Sequence, residues 1–340
     1  MTVTIREVAQ KLNISITTVS RALDGYDDVS DETRRLVVDT AQQMGYVPNR
    51  AARQLRRQRA DTIGYILPTE TPRFSNPFFA EFVAGLGDEA AANNYDLLVS
   101  TAPPKSAAEQ EIYARWVHGR KVDGMVLNRL RQRDWRVQYL AQNVFPLVTL
   151  QRSLDPLEYP SVEVDGRRWF RALVEHLYSL GRRRIAYVGA AADLVIQTER
   201  FQGYQDGLAA LGLALDAALV VEGDLTPEGG YRAAQALLNR PVPPDAVACV
   251  DDITAMGVLH AAHEMGCVVG KNLAVTGFDG VIGFEHTHPP LTTVNQPVYQ
   301  IARQMAQMLL AQIAGRPLEP RQVQIEPVLE LNASTLGAQK

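Results

Sequence analysis

The sequence predicts an N-terminal all-α helix-turn-helix followed by a larger α/β region of parallel sheets in two lobes. Three observations predict it. Helix-start signals at Thr4, Ser15 and Ser30 punctuate the first fifty residues. From Asp61 onward, short apolar strands alternate with helix-length amphipathic segments. The chain has 340 residues, too many for one comfortable sheet.

Thr4-Ile5-Arg6-Glu7 is a capping-box pattern, and the helix it opens is expected to bury Val8, Ala9 and Leu12 before breaking at Asn13. Ser15 can cap a second helix that runs to Leu23 and stops at Asp24-Gly25. Helical spacing puts Val19, Ala22 and Leu23 on one face, and Ile16, Thr17, Ser20 and Arg21 on the other. Ser30, followed by Asp31 and Glu32, starts a third helix expected to bury Leu36, Val37, Ala41 and Met44 before Gly45 ends it. Two short helices joined by a three-residue turn and closed by a third make a helix-turn-helix. The small, polar second helix suits a major groove about 12 Å wide. Ser15, Thr18 and Ser20 are candidates for phosphate oxygens, with Thr4 a further DNA-contact candidate; Ile16, Thr17 and Arg21 project toward base edges.

Charge supports a polyanionic partner. The net charge is −4, yet residues 1–60 hold ten basic against seven acidic side chains. Arg50, Arg53, Arg56, Arg57 and Arg59 fall in a stretch without a single acid. On charge alone the stretch is equally a solvated helix face, and the helices before it decide the reading.

Thr4–Ala9, Ser15–Leu23 and Tyr46-Val47-Pro48-Asn49 together resemble the N-terminal signature of the lactose-repressor (LacI/GalR) family. The resemblance implies a hinge helix over Asn49–Arg57, two of which enter the minor groove from a dimer. Asn49, Arg50, Ala52 and Leu55 become DNA-contact candidates on that basis, with Leu55 a wedge between base pairs. So short a helix is marginal alone and needs phosphates to balance its arginines.

In the remaining chain the expected strands are Thr62–Leu67, Leu97–Thr101, Gly124–Leu127, Pro146–Leu150, Arg184–Gly189, Leu219–Glu222, Ala246–Val250 and Leu273–Thr276. Expected helices include Phe79–Asn93, Arg167–Leu180, Arg200–Leu211 and Ile253–Met265. The resemblance extends through this region in Asn76–Glu81, His176–Ala186, Arg200–Tyr204, Thr276–Asp279 and Pro290–Val294, although Arg182 stands where a histidine is usual. It implies a periplasmic-binding-protein-like sensor whose two lobes enclose a ligand cleft. The domains expected are 1–48, a hinge and linker 49–60, a sensor 61–332 and a tail 333–340. The near lobe would be 61–160 with 294–322, and the far lobe 161–293 with 323–332.

The same resemblance implies effector contacts at Arg200, Asp251, Asp279 and Gln296, with Phe78 and Arg152 lining the near lobe. Carboxylates, amides and an arginine can bind several sugar hydroxyls while an aromatic face covers C–H groups. The alternative for each of these residues is a structural ion pair or a helix cap, and Asp251, just before a helix, is the most open to the cap reading. Arg131–Val137 and Pro146–Arg152 resemble regulators of α-glucoside use.

Other classes fit less well. There is no GxGxxG after a strand, no phosphate loop and no GxSxG, so no enzyme motif is present. The two cysteines, Cys249 and Cys267, exclude a disulfide framework and a cysteine-rich zinc site. The histidine pairs His260/His263 and His286/His288 read as surface or packing residues, so neither a metal nor a cofactor is expected. Arg6, Glu7 and Lys11 interrupt any leader-like apolar run, which argues for the cytoplasm and against a sugar-transport protein. The resulting expectation is a homodimeric repressor that binds a pseudo-palindromic operator and is released by a sugar. A purine co-repressor-dependent regulator of the same fold is the alternative.

Overall fold

The computed structural model describes residues 3–23, 25–46, 59–69 and 76–337. The chain divides after Ala60 into two units.

In the first unit, α1 (Ile5–Leu12), α2 (Ile16–Leu23) and α3 (Asp31–Gln43) surround a core of Val8, Ala9, Val19, Ala22, Val29, Val37 and Ala41. The Glu7 carboxylate accepts from the Thr4 amide at 2.7 Å and the Thr4 hydroxyl at 2.9 Å, closing the first turn of α1. Asn13 ends that helix in the left-handed conformation, at φ 52°. Ser15 Oγ accepts from the Thr18 amide at 2.9 Å, and Ser30 Oγ from the Thr33 amide at 3.3 Å. Leu12 and Met44 pack on the core from its edge. Leu36 departs from expectation at 53% exposed: it lies about 100° around α3 from the buried Val37, just beyond the face that meets α1 and α2.

The second unit begins with β1 (Thr62–Pro68), α4 (Pro77–Ala92), β2 (Asp96–Ala102), α5 (Ala107–His118) and β3 (Gly124–Leu127). It continues through α6 (Trp135–Gln142), β4 (Leu147–Leu150), β5 (Ser161–Glu163), α7 (Gly166–Ser179), β6 (Ile185–Gly189) and α8 (Val195–Ala210). Next come β7 (Val220–Glu222), α9 (Pro227–Leu238), β8 (Ala246–Cys249), α10 (Asp252–Glu264), β9 (Ala274–Thr276) and β10 (Thr293–Asn295). The unit closes with α11 (Val298–Ile313), β11 (Gln322–Gln324), β12 (Val328–Glu330) and α12 (Ala333–Leu336).

Two parallel sheets result. One has six strands in the order β11-β5-β4-β3-β1-β2, the other four in the order β7-β6-β8-β9, and every pairing within them is parallel. Strands of continuous burial, such as β3, β6 and β8, follow from helices covering both faces. The chain passes from the first sheet to the second after β5, returns for α11 and β11, and crosses again to pair β12 antiparallel with β10. Because β5 and β11 pair inside the six-stranded sheet, the lobe changes expected after 160 and 322 move past Glu163 and Gln324.

Helices α9 and α10 cross where two glycines meet. A Cβ on Gly257 would lie 1.8 Å from the Pro227 carbonyl oxygen, and one on Gly230 would lie 2.0 Å from that of Thr254. Backbone cannot yield as a flexible side chain does, so Gly257→Ala is expected to lower stability by about 1–3 kcal/mol or more. A urea midpoint within error of the wild type would contradict this close packing.

Candidate functional site

The first candidate surface is the outer side of α2 in the first unit. Ser15, Ile16, Thr17 and Arg21 are exposed, Ile16 at 44%. Thr4 is exposed as well, and Thr18 is half-buried with its hydroxyl 2.8 Å from Ser15 Oγ. Ser20 is a correction: it is 4% exposed and belongs to the buried side. A small side chain at the margin of the apolar face is covered by its larger neighbours, which helical spacing does not reveal. The Arg21 guanidinium lies 2.5 Å from Asp28 Oδ2 and 5.1 Å from the centre of the Tyr26 ring. Arg34 donates to the Tyr26 carbonyl at 2.8 Å, fixing the loop that carries both partners. Asn49, Arg50, Ala52 and Leu55 lie outside the described residues.

The second candidate is a cleft in the second unit, where the C-terminal ends of the two sheets face each other. Such crevices are where parallel α/β sheets bind ligands. From the four-stranded side come Arg200, Asp251, Phe278 and Asp279, and Gln296 joins them just after β10. Asn76, Phe78, Phe79, Asn128, Arg129 and Gln151 line the six-stranded side. Asn76 caps α4 by accepting from the Phe78 amide at 3.0 Å, which sets the first turn and its two phenylalanines at the cleft.

Arg200 projects from α8 onto the Phe278 ring, 3.8 Å from its centre. It donates to Asp279 Oδ1 at 3.1 Å and to the Val250 carbonyl. Gln296 Nε2 donates to the same Asp279 oxygen at 2.7 Å. Asp279 is held at φ 120°, a conformation that costs a non-glycine residue of order 1–3 kcal/mol. Two backbone bonds impose it: the Asp279 amide donates to Val294 and the Gln296 amide donates to Asp279, both at 3.0 Å. Asp251 caps α10 through the Thr254 amide at 2.8 Å and lines the cleft at the same time.

The site is rich in carboxylates that burial disfavours. Burial pushes Asp279 up to about 6 against the pull of Arg200. Burial, reinforced by the charge of Asp279, takes Asp252 to about 7. Glu199 also rises to about 7 through burial, although Arg200 and Gln151 oppose the shift. Of these three, Asp279 lines the cleft together with Asp251, and Arg129 and Arg200 line it beside them, so the wall carries both signs of charge.

Arg152 is the second correction. It lies outside the cleft lining, with its guanidinium 5.2 Å from the Tyr159 ring centre and 3.3 Å from the Leu157 carbonyl. Gln151, at φ 68°, turns the chain at the end of β4, so Gln151 itself faces the cleft. It donates to Val164 O at 2.9 Å and to Glu199 Oε2 at 2.5 Å. Asn128 was not singled out either. It is 2% exposed, and neither atom of its amide makes a well-formed hydrogen bond with a described residue; the Tyr65 hydroxyl lies alongside. The available signal was positional: Asn128 and Gln151 are each the first residue beyond an apolar parallel strand.

Comparison with known proteins agrees with this architecture. Residues 4–49 match the family described as bacterial regulatory proteins, lacI family, and residues 174–335 match the periplasmic binding protein-like domain. The HTH-type transcriptional regulator AglR of Rhizobium meliloti (strain 1021) is 33% identical over 339 residues, covering 98% of this chain and 95% of AglR. A solved structure described as the transcriptional regulator CelR–cellobiose complex is 32% identical, with a TM-score of 0.75, covering 98% of this chain and 99% of that one. The lac repressor dimer bound to operator and the anti-inducer ONPF is 25% identical, with a TM-score of 0.83, covering 99% of this chain and all of the other.

Proposed function

Because the chain belongs to the lacI family of bacterial regulatory proteins and is a sequence-specific DNA-binding transcriptional regulator, we propose that its effector is a neutral saccharide of the glycoside class. It would act in the cytoplasm as a homodimeric repressor on a pseudo-palindromic operator, by binding rather than by catalysis. The saccharide would favour a lobe arrangement that weakens DNA binding, a shift of population rather than a chemical step.

The observation that carries this reading is the donor and acceptor content of the cleft. Asp251 and Asp279 offer acceptors, Arg200 and Gln296 offer donors, and the Asn128 amide offers one of each, with no well-formed bond to either from the described residues. A hydroxyl both donates and accepts, so a mixed set of this kind suits a polyol. Phe78, Phe79 and Phe278 supply apolar faces for sugar C–H groups. The cellobiose carried by the related CelR structure favours the same class. Isothermal titration against cellobiose, maltose, sucrose and trehalose, alongside a purine panel, tests it. Saturable binding of a saccharide supports the reading; tight purine binding with no saccharide bound at millimolar concentration overturns it.

On the DNA side, we propose Arg21 as the base reader of α2, with Ile16 and Thr17 beside it and Ser15 and Thr18 toward the phosphates. Its exposed pairing with Asp28 is weak enough for guanine to compete. Arg21→Ala is expected to remove about 1–3 kcal/mol of base discrimination while leaving salt-sensitive binding to any duplex. If operator and random DNA remain equally well distinguished, Arg21 reads no base.

A further inference from the structure

We propose that the buried Asp134–Arg136 pair is a positioning device for the effector cleft, setting the Asn128–Arg129 turn so that the Asn128 amide is presented to the ligand; this rests on the saccharide reading of the cleft. Neither side chain of the pair lines the cleft, and the pair meets the lining only at the main-chain carbonyls of Asn128 and Arg129. Asp134 is fully buried and Arg136 is 3% exposed. Arg136 donates to Asp134 through Nε at 2.9 Å and through Nη2 at 2.6 Å. The same Nη2 reaches back to the carbonyl oxygens of Asn128 at 3.3 Å and Arg129 at 3.1 Å. Those are the two residues that follow β3 into the cleft wall, and Arg129 is held there at φ 46° with its guanidinium over the Phe79 ring.

Asp134 extends the brace. It accepts the amides of Arg131 and Arg136, each at 3.0 Å, and its own amide donates to Asp155 Oδ2 at 2.9 Å. Asp155 in turn accepts from Ser153 Oγ and Gln138 Nε2, both at 2.7 Å. The pair therefore ties the loop after β3 to the loop after β4, which carry Asn128 and Gln151 respectively. The other flank of the first loop meets the opposite lobe: Gln132 Nε2 donates to Thr198 Oγ1 at 2.7 Å, and Arg131 Nε lies 3.2 Å from Asp193.

A stability role is a poor account of this arrangement, since an apolar pair of equal volume often serves a core as well as a buried ion pair. A guanidinium offers what an apolar pair lacks: a planar fork on the carboxylate and donors left over for carbonyls. A lysine keeps the charge but loses that fork. The arrangement also gives a role to Asp134 and Arg136 within the Arg131–Val137 segment that resembles α-glucoside regulators.

The test uses the full-length chain as Arg136→Lys, with a Glu109→Gln/Asp134→Asn/Arg136→Met variant as a second line should the lysine variant fold poorly, the first change neutralising the buried Glu109 carboxylate 3.9 Å from Arg136. Two quantities are read in each: amide exchange of residues 128–133 without ligand, and titration with cellobiose, maltose, sucrose and trehalose. Exchange in the turn should quicken and affinity for the bound saccharide fall, each about tenfold, with operator affinity and the urea midpoint little changed. Unchanged exchange in the turn overturns the proposal, as does a loss of affinity that merely tracks a lower urea midpoint. Wild-type binding of a saccharide with unchanged affinity in both variants rejects the positioning role and leaves the saccharide reading standing. A turn that loosens in a protein whose wild type binds none of the four sugars rejects the saccharide reading alone.

Discussion

Asp279→Ala is expected to yield a protein that holds its operator but no longer answers to saccharide, which in cells would appear as permanent repression. The carboxylate is the centre of the cleft's polar network, because Arg200 and Gln296 both donate to its Oδ1. Removing it withdraws an acceptor from sugar hydroxyls and also frees two donors from their set directions. An unpaired buried polar group costs about 1–3 kcal/mol, so a loss of saccharide affinity of about five- to 150-fold follows. Arg200 would keep the Val250 carbonyl and the Phe278 ring but lose its counter-charge, which predicts a lower denaturation midpoint as well. Asp279→Asn separates the two effects, since it keeps an acceptor of the same shape and removes only the charge. Operator binding followed by fluorescence anisotropy, with and without saccharide, reads the outcome. A variant released from DNA at the wild-type saccharide concentration would place the effector elsewhere.

The residues of this network show how far sequence reasoning reaches. Asp251 and Asp279 stand just past β8 and β9, and a polar residue at such a position is visible in sequence because the strand before it is uniformly apolar. The same logic points to Asn128 and Gln151, and attention to Arg152 alone misses them. What decides between Gln151 and Arg152 is the left-handed backbone at Gln151, and a glutamine announces no such turn. The eight longer or more apolar strands are legible within a residue or two. Strands β5, β10 and β11 each hold one valine between polar residues and β12 only an apolar pair between Pro327 and Glu330, so no apolar run marks them as it does the equally short β7 and β9. Helix α8 begins at Val195 rather than at Arg200, because Leu194 supplies no side-chain cap to mark its start. In the first unit the caps at Thr4, Ser15 and Ser30 carry the fold, while the burial of Ser20 and exposure of Leu36 depend on packing between helices.

Stability should fall as pH rises from about 4 to about 7 and then level off. Burial raises Glu199 and Asp252 to about 7 and Asp279 to about 6. In the unfolded chain these carboxyls titrate near 4. Between the two values the folded state holds protons that the unfolded state has released, so each unit of pH favours unfolding. The lowered carboxyls do not mask this trend. Burial opposes the shift at Asp134, Asp155 and Glu89, but their partners prevail, and the stability they confer is lost only on acidification below about 4. His176 runs the other way, since burial lowers its pKa and makes the fold more stable as pH rises through about 6.5. One half-buried histidine offsets part of the loss from the buried Asp252 and Asp279 and the half-buried Glu199. The net expectation is a urea-unfolding free energy smaller by about 2 kcal/mol or more at pH 8 than at pH 5. Glu199→Gln keeps the group's shape without its charge and should flatten the profile on the alkaline side. A wild type equally stable at both pH values, or a Glu199→Gln profile parallel to it, would show that Glu199 and its neighbours ionise freely in the folded cleft.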